Sequence, residues 1–151
     1  MKRLIPWISV CVLFFLFQTA FIVADIVETP QKVTIAFTKA LYQLDESVDK
    51  YVTEEGKKDG EIDLLKQFRF ERIQKAALRG YRPGFAKNYL VHINTDTLSE
   101  SHDKADVRIT AERFSIIPWL RMRKMYEVDH TFKLVKEDGA WKINSGIELI
   151  D

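Results

Sequence analysis

The 151-residue chain has one cysteine, Cys11, and it lies inside an apolar run. The rest of the chain therefore has no disulfide to lean on, even in an oxidising compartment. The same scarcity excludes a zinc-finger or dithiol redox module. Charge of one sign is also missing: 23 Lys and Arg stand against 22 Asp and Glu, a formal net charge of +1. The chain as a whole predicts neither a nucleic-acid nor an acidic partner, so any basic patch is local. No low-complexity stretch, internal repeat or catalytic signature is visible.

What is present begins at the amino terminus. Lys2 and Arg3 precede an apolar run from Leu4 to Ala24 that contains no Asp, Glu, Lys or Arg. A run of about 20 such residues spans a hydrocarbon core of roughly 30 Å. Signal peptides carry a shorter apolar region, about 7–15 residues, and a small-x-small cleavage site. Ile22-Val23-Ala24 and Gln18-Thr19-Ala20 fit that site poorly. An uncleaved anchor is the leading reading, a cleaved signal the second, and a buried core helix the third. Lipoprotein attachment fits poorly, because Cys11 sits within the run instead of just after it. The positive flank stays cytoplasmic, and Asp25 and Glu28 follow the run. The expectation is a single-pass protein of the inner (cytoplasmic) membrane with its carboxyl-terminal domain extracytoplasmic, or periplasmic. Trp7 suits an interfacial anchor equally as well as another apolar residue of the span. The domains expected are an anchor over 1–24, a linker over 25–29 and an exported domain over 30–151.

The exported part reads as α+β. Val33, Phe37, Ala40, Leu41, Leu44, Val48, Tyr51 and Val52 recur at helical spacing, which predicts one helix over 30–54, with Pro30 in its first turn. The turn EEGKKDG follows. Ile62, Leu65, Ile73 and Ala76 predict a second helix over 61–79, closed by Gly80. Phe68 and Phe70 widen its apolar stripe and suggest burial on two sides. From residue 87 the period becomes two. Tyr89, Val91 and Ile93 form one row, Ala105, Val107 and Ile109 the next, with a β-bulge expected before Phe114. Tyr126, Val128, His130, Phe132 and Leu134 form the third row, and Trp141, Ile143, Ile147 and Leu149 the fourth. Asp138-Gly139 predicts a tight hairpin between the last two.

The order helix, helix, four antiparallel strands resembles the nuclear transport factor 2-like superfamily, and the hairpin TFKLVKEDGAWKINSGIEL resembles that superfamily's final strand pair. The resemblance implies a curved sheet wrapped around its helices as a cone. The simple form with an amino-terminal span is similar to the bitopic inner-membrane assembly component of type IV secretion systems. It is similar too to the matrix domain of the mitochondrial import motor's membrane-docking subunit. Both imply a scaffold or docking role with no cofactor. The superfamily also contains ketosteroid isomerases, but this chain shows no such pair of inward Asp residues.

Candidate site residues fall in two groups. Arg69 lies among the apolar positions of the second helix and could reach a carboxylate in a pocket. Tyr126, His130 and Trp141 would line the same pocket for a small apolar ligand, the alternative function. His130 as a catalytic base is the lesser reading of that residue. His92, Asn94 and Asp96 share a strand face but lack metal-site spacing, and His102 lies in a polar loop. The second group is the loop over 118–124, where Trp119, Leu120, Arg121, Met122 and Arg123 mix apolar and cationic side chains as interfaces do. A run of cations from Lys66 to Lys87 reads as a solvated helix surface, or as a site for an acidic partner or anionic headgroups. The leading expectation is a non-enzymatic scaffold or accessory subunit of an envelope complex. It would have a protein partner, possible homodimerisation through the open sheet face, and no nucleic-acid partner.

Overall fold

The computed structural model describes residues 12–14, 28–114, 125–147 and 150. Among them no helix is long and apolar enough to cross a membrane. The expected span lies outside the described residues except for 12–14, which are helical.

Helix α1 covers Pro30–Tyr42, with Thr29 accepting the Lys32 backbone N–H as its cap and Pro30 in the first turn. It is shorter than the predicted helix over 30–54. The chain turns out at Leu44, whose φ is +55°. There Leu44 N–H donates to the Leu41 carbonyl, and Asp45 N–H to Ala40. That pair of bonds closes a helix with a left-handed residue, a place usually given to glycine. Asp45 then caps a 3₁₀ helix, Glu46–Tyr51, by accepting the Ser47 N–H, which keeps Val48 in the core.

Strands β1 (Lys58–Asp59) and β2 (Ile62–Asp63) form a minimal hairpin. Helix α2 covers Leu64–Leu78, starting on Asp63, which accepts the Lys66 N–H. The predicted start at 61 is thus corrected. Ile62 sits in β2 and is exposed. Gly80, at φ +73°, and Tyr81 close α2 with bonds to Ala77 and Ala76, as the sequence predicts. The expected two-sided burial is corrected too: of α2 only Leu65 and Ala76 are buried, and Phe70 is 64% exposed.

After a 3₁₀ turn at Pro83–Ala86, strands β3 (Tyr89–Glu100), β4 (Lys104–Phe114), β5 (Met125–Glu137) and β6 (Ala140–Ser145) form one antiparallel sheet in the order β3-β4-β5-β6. The expected Asp138-Gly139 hairpin is present, with φ values of +53° and +84°. The bulge lies elsewhere than expected. Strand β4 pairs with β5 without a break from Lys104 to Phe114, whereas β3 slips between Val91 and Asn94 and again between Thr97 and Ser99. His92 carries the first slip at φ +50°. It moves Leu90 to the same side as Ile93, where both pack on buried Tyr42, Ala111 and Val128. Tyr89 is left on the outer face, stacked on Phe114.

Helix α1 lies on the inner face of the sheet. Phe37 meets Phe132 edge to face at 5.3 Å, and both are fully buried. Val33, Leu41, Val107, Ile109, Leu134 and Ile143 complete the same cluster. Thr34 and Thr38, buried on α1, return their hydroxyls to the Pro30 and Thr34 carbonyls. On the outer face Arg108 grips Asp129 with two hydrogen bonds. That contact holds the Asp129 carboxyl below its ordinary value and pushes Arg108 up. The outer edge of β6 is occupied: Val52 bridges Ile143 in parallel, and Thr53 N–H donates to the Ile143 carbonyl.

A candidate binding surface where the first helix ends

Two ends of the domain differ in chemistry. At the end where α1 begins, Gln31 Nε2 donates to Thr97 Oγ1, and Lys136 N–H donates to the Asp103 carbonyl. The β3–β4 and β5–β6 turns are here. At the other end α1 finishes at Tyr42, Asn88 N–H donates to the Tyr42 carbonyl, and β3 starts, β4 ends and β5 starts.

Tyr42 organises this second end. Its ring is buried at 1% exposure and meets Phe68 of α2 edge to face at 5.9 Å. Its hydroxyl lies 3.4 Å from His130 Nε2. The Arg72 guanidinium from α2 sits 5.5 Å from the Tyr42 ring and 5.0 Å from Phe68. The Arg113 guanidinium from β4 sits 5.6 Å from Tyr42 and 5.2 Å from Tyr126. Guanidinium planes favour aromatic faces in this way. Cross-strand pairing of Arg113 with Tyr126 puts both on the inner face.

Around this cluster exposed apolar side chains are interspersed with the exposed cations of α2 and of the segment after it. Phe70, Leu78, Phe85, Tyr89, Met125 and Tyr126 all expose large side chains. Ile62 and Leu98 are the described domain residues of that kind elsewhere. Phe114 and Met125, which flank residues 115–124, are both at this end.

The structure brings two of the four expected pocket residues, Tyr126 and His130, to one place. Arg69 instead faces the α1 exit, with Nη2 3.3 Å from the Asp45 carbonyl and Nη1 3.9 Å from Glu46. Trp141 is buried in the main core under Lys136, toward the opposite end and about 20 Å along β5 from His130 at ~3.3 Å per residue. Trp119, Leu120, Arg121, Met122 and Arg123 lie outside the described residues.

Sequence reasoning missed Tyr42, Phe68, Arg72 and Arg113 as one group. Arg72 was visible only as one member of a basic run. Leu90 needed the His92 slip to fall into place, and Arg113 was hidden by the bulge expected before Phe114, which β4 does not have.

His92 Nδ1 lies 2.9 Å from Glu112 Oε2 on the outer face. Among the described residues no group of three or more His, Cys, Asp or Glu side chains is placed to hold a metal ion. The arrangement at Tyr42 can offer stacking, cationic hydrogen-bond donors and an imidazole beside a phenol. No family model matches the chain, and no curated protein matches it.

Proposed function

We propose that the chain is a non-enzymatic, membrane-tethered binding subunit, a scaffold component of a cell-envelope complex, built on a nuclear transport factor 2-like domain. The observation that carries this reading is that α2 and the turn after it hold the large apolar side chains of Phe70, Leu78 and Phe85 exposed. The inner face is meanwhile filled by the domain's own Phe37, Leu41, Ile109, Phe132 and Leu134. Exposed large apolar side chains rimmed by charges are the usual mark of a surface that a partner covers. The outer sheet face is a weaker candidate, because its middle is a polar lattice of Arg108 on Asp129 and His92 on Glu112. The helix–helix–sheet order and the Asp138-Gly139 hairpin favour the superfamily assignment.

The test is a cross-linking pull-down from intact membranes, comparing the natural chain with Phe70→Ser/Leu78→Ser. A defined partner set that disappears in the variant is the expected result. The same partners at the same yield in both, or none in either, would sink the docking reading. The aromatic and arginine cluster around Tyr42 favours a second reading, a small ligand with an acidic group and an apolar body. Native mass spectrometry of the purified protein distinguishes it, since a carrier would retain a stoichiometric small molecule.

A further inference from the structure

We infer that the docking surface is held away from the membrane, and that its occupant is an acidic, amphipathic segment of another protein. The inference rests on the membrane-tethered reading above.

The first argument is geometric. The expected span reaches the domain through residues 25–29, and five residues extend at most about 17 Å. The domain is therefore tethered through Pro30, which the linker keeps within about 17 Å of the end of the span. Gln31, bonded to Thr97, fixes that point beside Leu98 and the β3–β4 turn. Helix α1 then runs for 13 residues, Pro30–Tyr42, about 20 Å at 1.5 Å per residue. At its far end Asn88, next to Tyr89, donates to the Tyr42 carbonyl, and Arg69, next to Phe70, reaches the Asp45 carbonyl, while Leu78 and Phe85 are exposed on the chain between them. The exposed apolar side chains thus concentrate at the end that the tether leaves behind. A surface meant to rest on lipid would sit beside Pro30 instead.

The second argument is charge. Between Lys66 and Lys87 the chain carries seven cations and one anion, Glu71. Lys66 pairs with Asp63 and Lys75 with Glu71, but among the described residues Arg79 and Arg82 have no ion-pair partner. These two arginines stand between Leu78, 83% exposed, and Phe85. A second copy of the chain, meeting this face with the same face, would set Arg79 and Arg82 against like charges. An acidic helix or strand with an apolar stripe matches both the cations and the Leu78–Phe85 surface.

Two measurements on the full chain test this. For the geometry, Leu78→Cys and Leu98→Cys are each labelled with a fluorophore in a Cys11→Ser background and reconstituted with bromine-labelled phosphatidylcholine and phosphatidylglycerol. The Leu98 label is expected to be quenched and the Leu78 label not. Quenching at Leu78 equal to or above that at Leu98 would put the surface on the bilayer and overturn the inference. For the occupant, a photo-cross-linking amino acid replaces Leu78 in intact membranes, and the adduct is sequenced. The expected adduct is a protein segment with net negative charge, and Arg79→Glu/Arg82→Glu lowers its yield by about tenfold. A lipid adduct, a second copy of this chain, a neutral or basic segment, or no adduct overturns it. All these positions are exposed, and unchanged circular dichroism melts establish that the variants are folded. A pull-down partner set that survives Arg79→Glu/Arg82→Glu would leave the chain a docking protein but put its surface elsewhere.

Discussion

Leu65 and Leu78 sit on one helix and have one chemistry, yet they should respond in opposite ways to truncation. Leu65 is 5% exposed and belongs to the main core, whereas Leu78 is 83% exposed. Removing three carbons from a buried site loses about 0.8 kcal/mol of transfer energy per group. The residual cavity raises the cost of Leu65→Ala to about 3 kcal/mol. At position 78 only about one sixth of the surface is covered, so the loss is ~0.4 kcal/mol. Alanine's better helix propensity offsets part of it. Thermal unfolding followed by circular dichroism on the full chain in nanodiscs should show Leu65→Ala melting about 10 °C lower. Leu78→Ala should melt within about 2 °C of the natural chain, while losing its cross-links to the partner. Equal destabilisation by the two substitutions would mean that α2 buries its outer face. The docking surface assigned to it would then be wrong.

Three further outcomes follow from the packing and the caps. Gly146→Ala would place a Cβ 2.5 Å from the Thr131 carbonyl oxygen at φ +104°. It should cost roughly 2–4 kcal/mol in urea unfolding, while Gly84→Ala, with open space around it, stays within about 0.5 kcal/mol. Thr34→Val should cost less than about 1 kcal/mol by the same assay, because the carbonyl its hydroxyl touches already accepts a helix bond. The Asp45 carboxyl is held below its ordinary value of 3.8, chiefly by the Ser47 backbone N–H. At Asp63 burial raises the carboxyl, but the Lys66 hydrogen bonds and charge outweigh it and hold it below 3.8. Both contributions are present above pH ~4 and are lost as pH falls through the depressed values. Urea midpoints should therefore fall between pH 5 and pH 2.5, and Asp63→Asn should flatten that slope.

The layout of the fold was legible because it rests on periodicity. The apolar rows read correctly on β5, on β4 as far as Ile109 and on β6 at Trp141 and Ile143, while Ile147 falls past the end of β6 and Leu149 lies outside the described residues. Asp138-Gly139 and Gly80 announced their turns by residue type. Two of the failures share one cause. Leu44 and His92 adopt left-handed backbone that a sequence reader assigns to glycine or asparagine. The first hid the end of α1, so that one helix was expected where a helix and a 3₁₀ turn stand. The second hid the slip in β3, and with it the side on which Leu90 falls. The site suffered in consequence. Arg69 looked inward on a helix drawn too wide, and Trp141 looked like a pocket wall because its distance from His130 along β5 was not weighed. Tyr42 gave no signal at all, since its role depends on residues distant in sequence.

The slips in β3 also bear on how the protein stays unaggregated. One border of the sheet is closed by Val52 and Thr53, but β3 forms the other border over twelve residues. A straight strand of that length is a template on which another chain can grow by backbone pairing. The kinks at His92 and near Leu98 break it into short pieces whose N–H and C=O groups do not line up for a partner strand. Deleting His92 would straighten its first half. The product should form oligomers whose size grows with concentration, through a border that the natural chain keeps irregular.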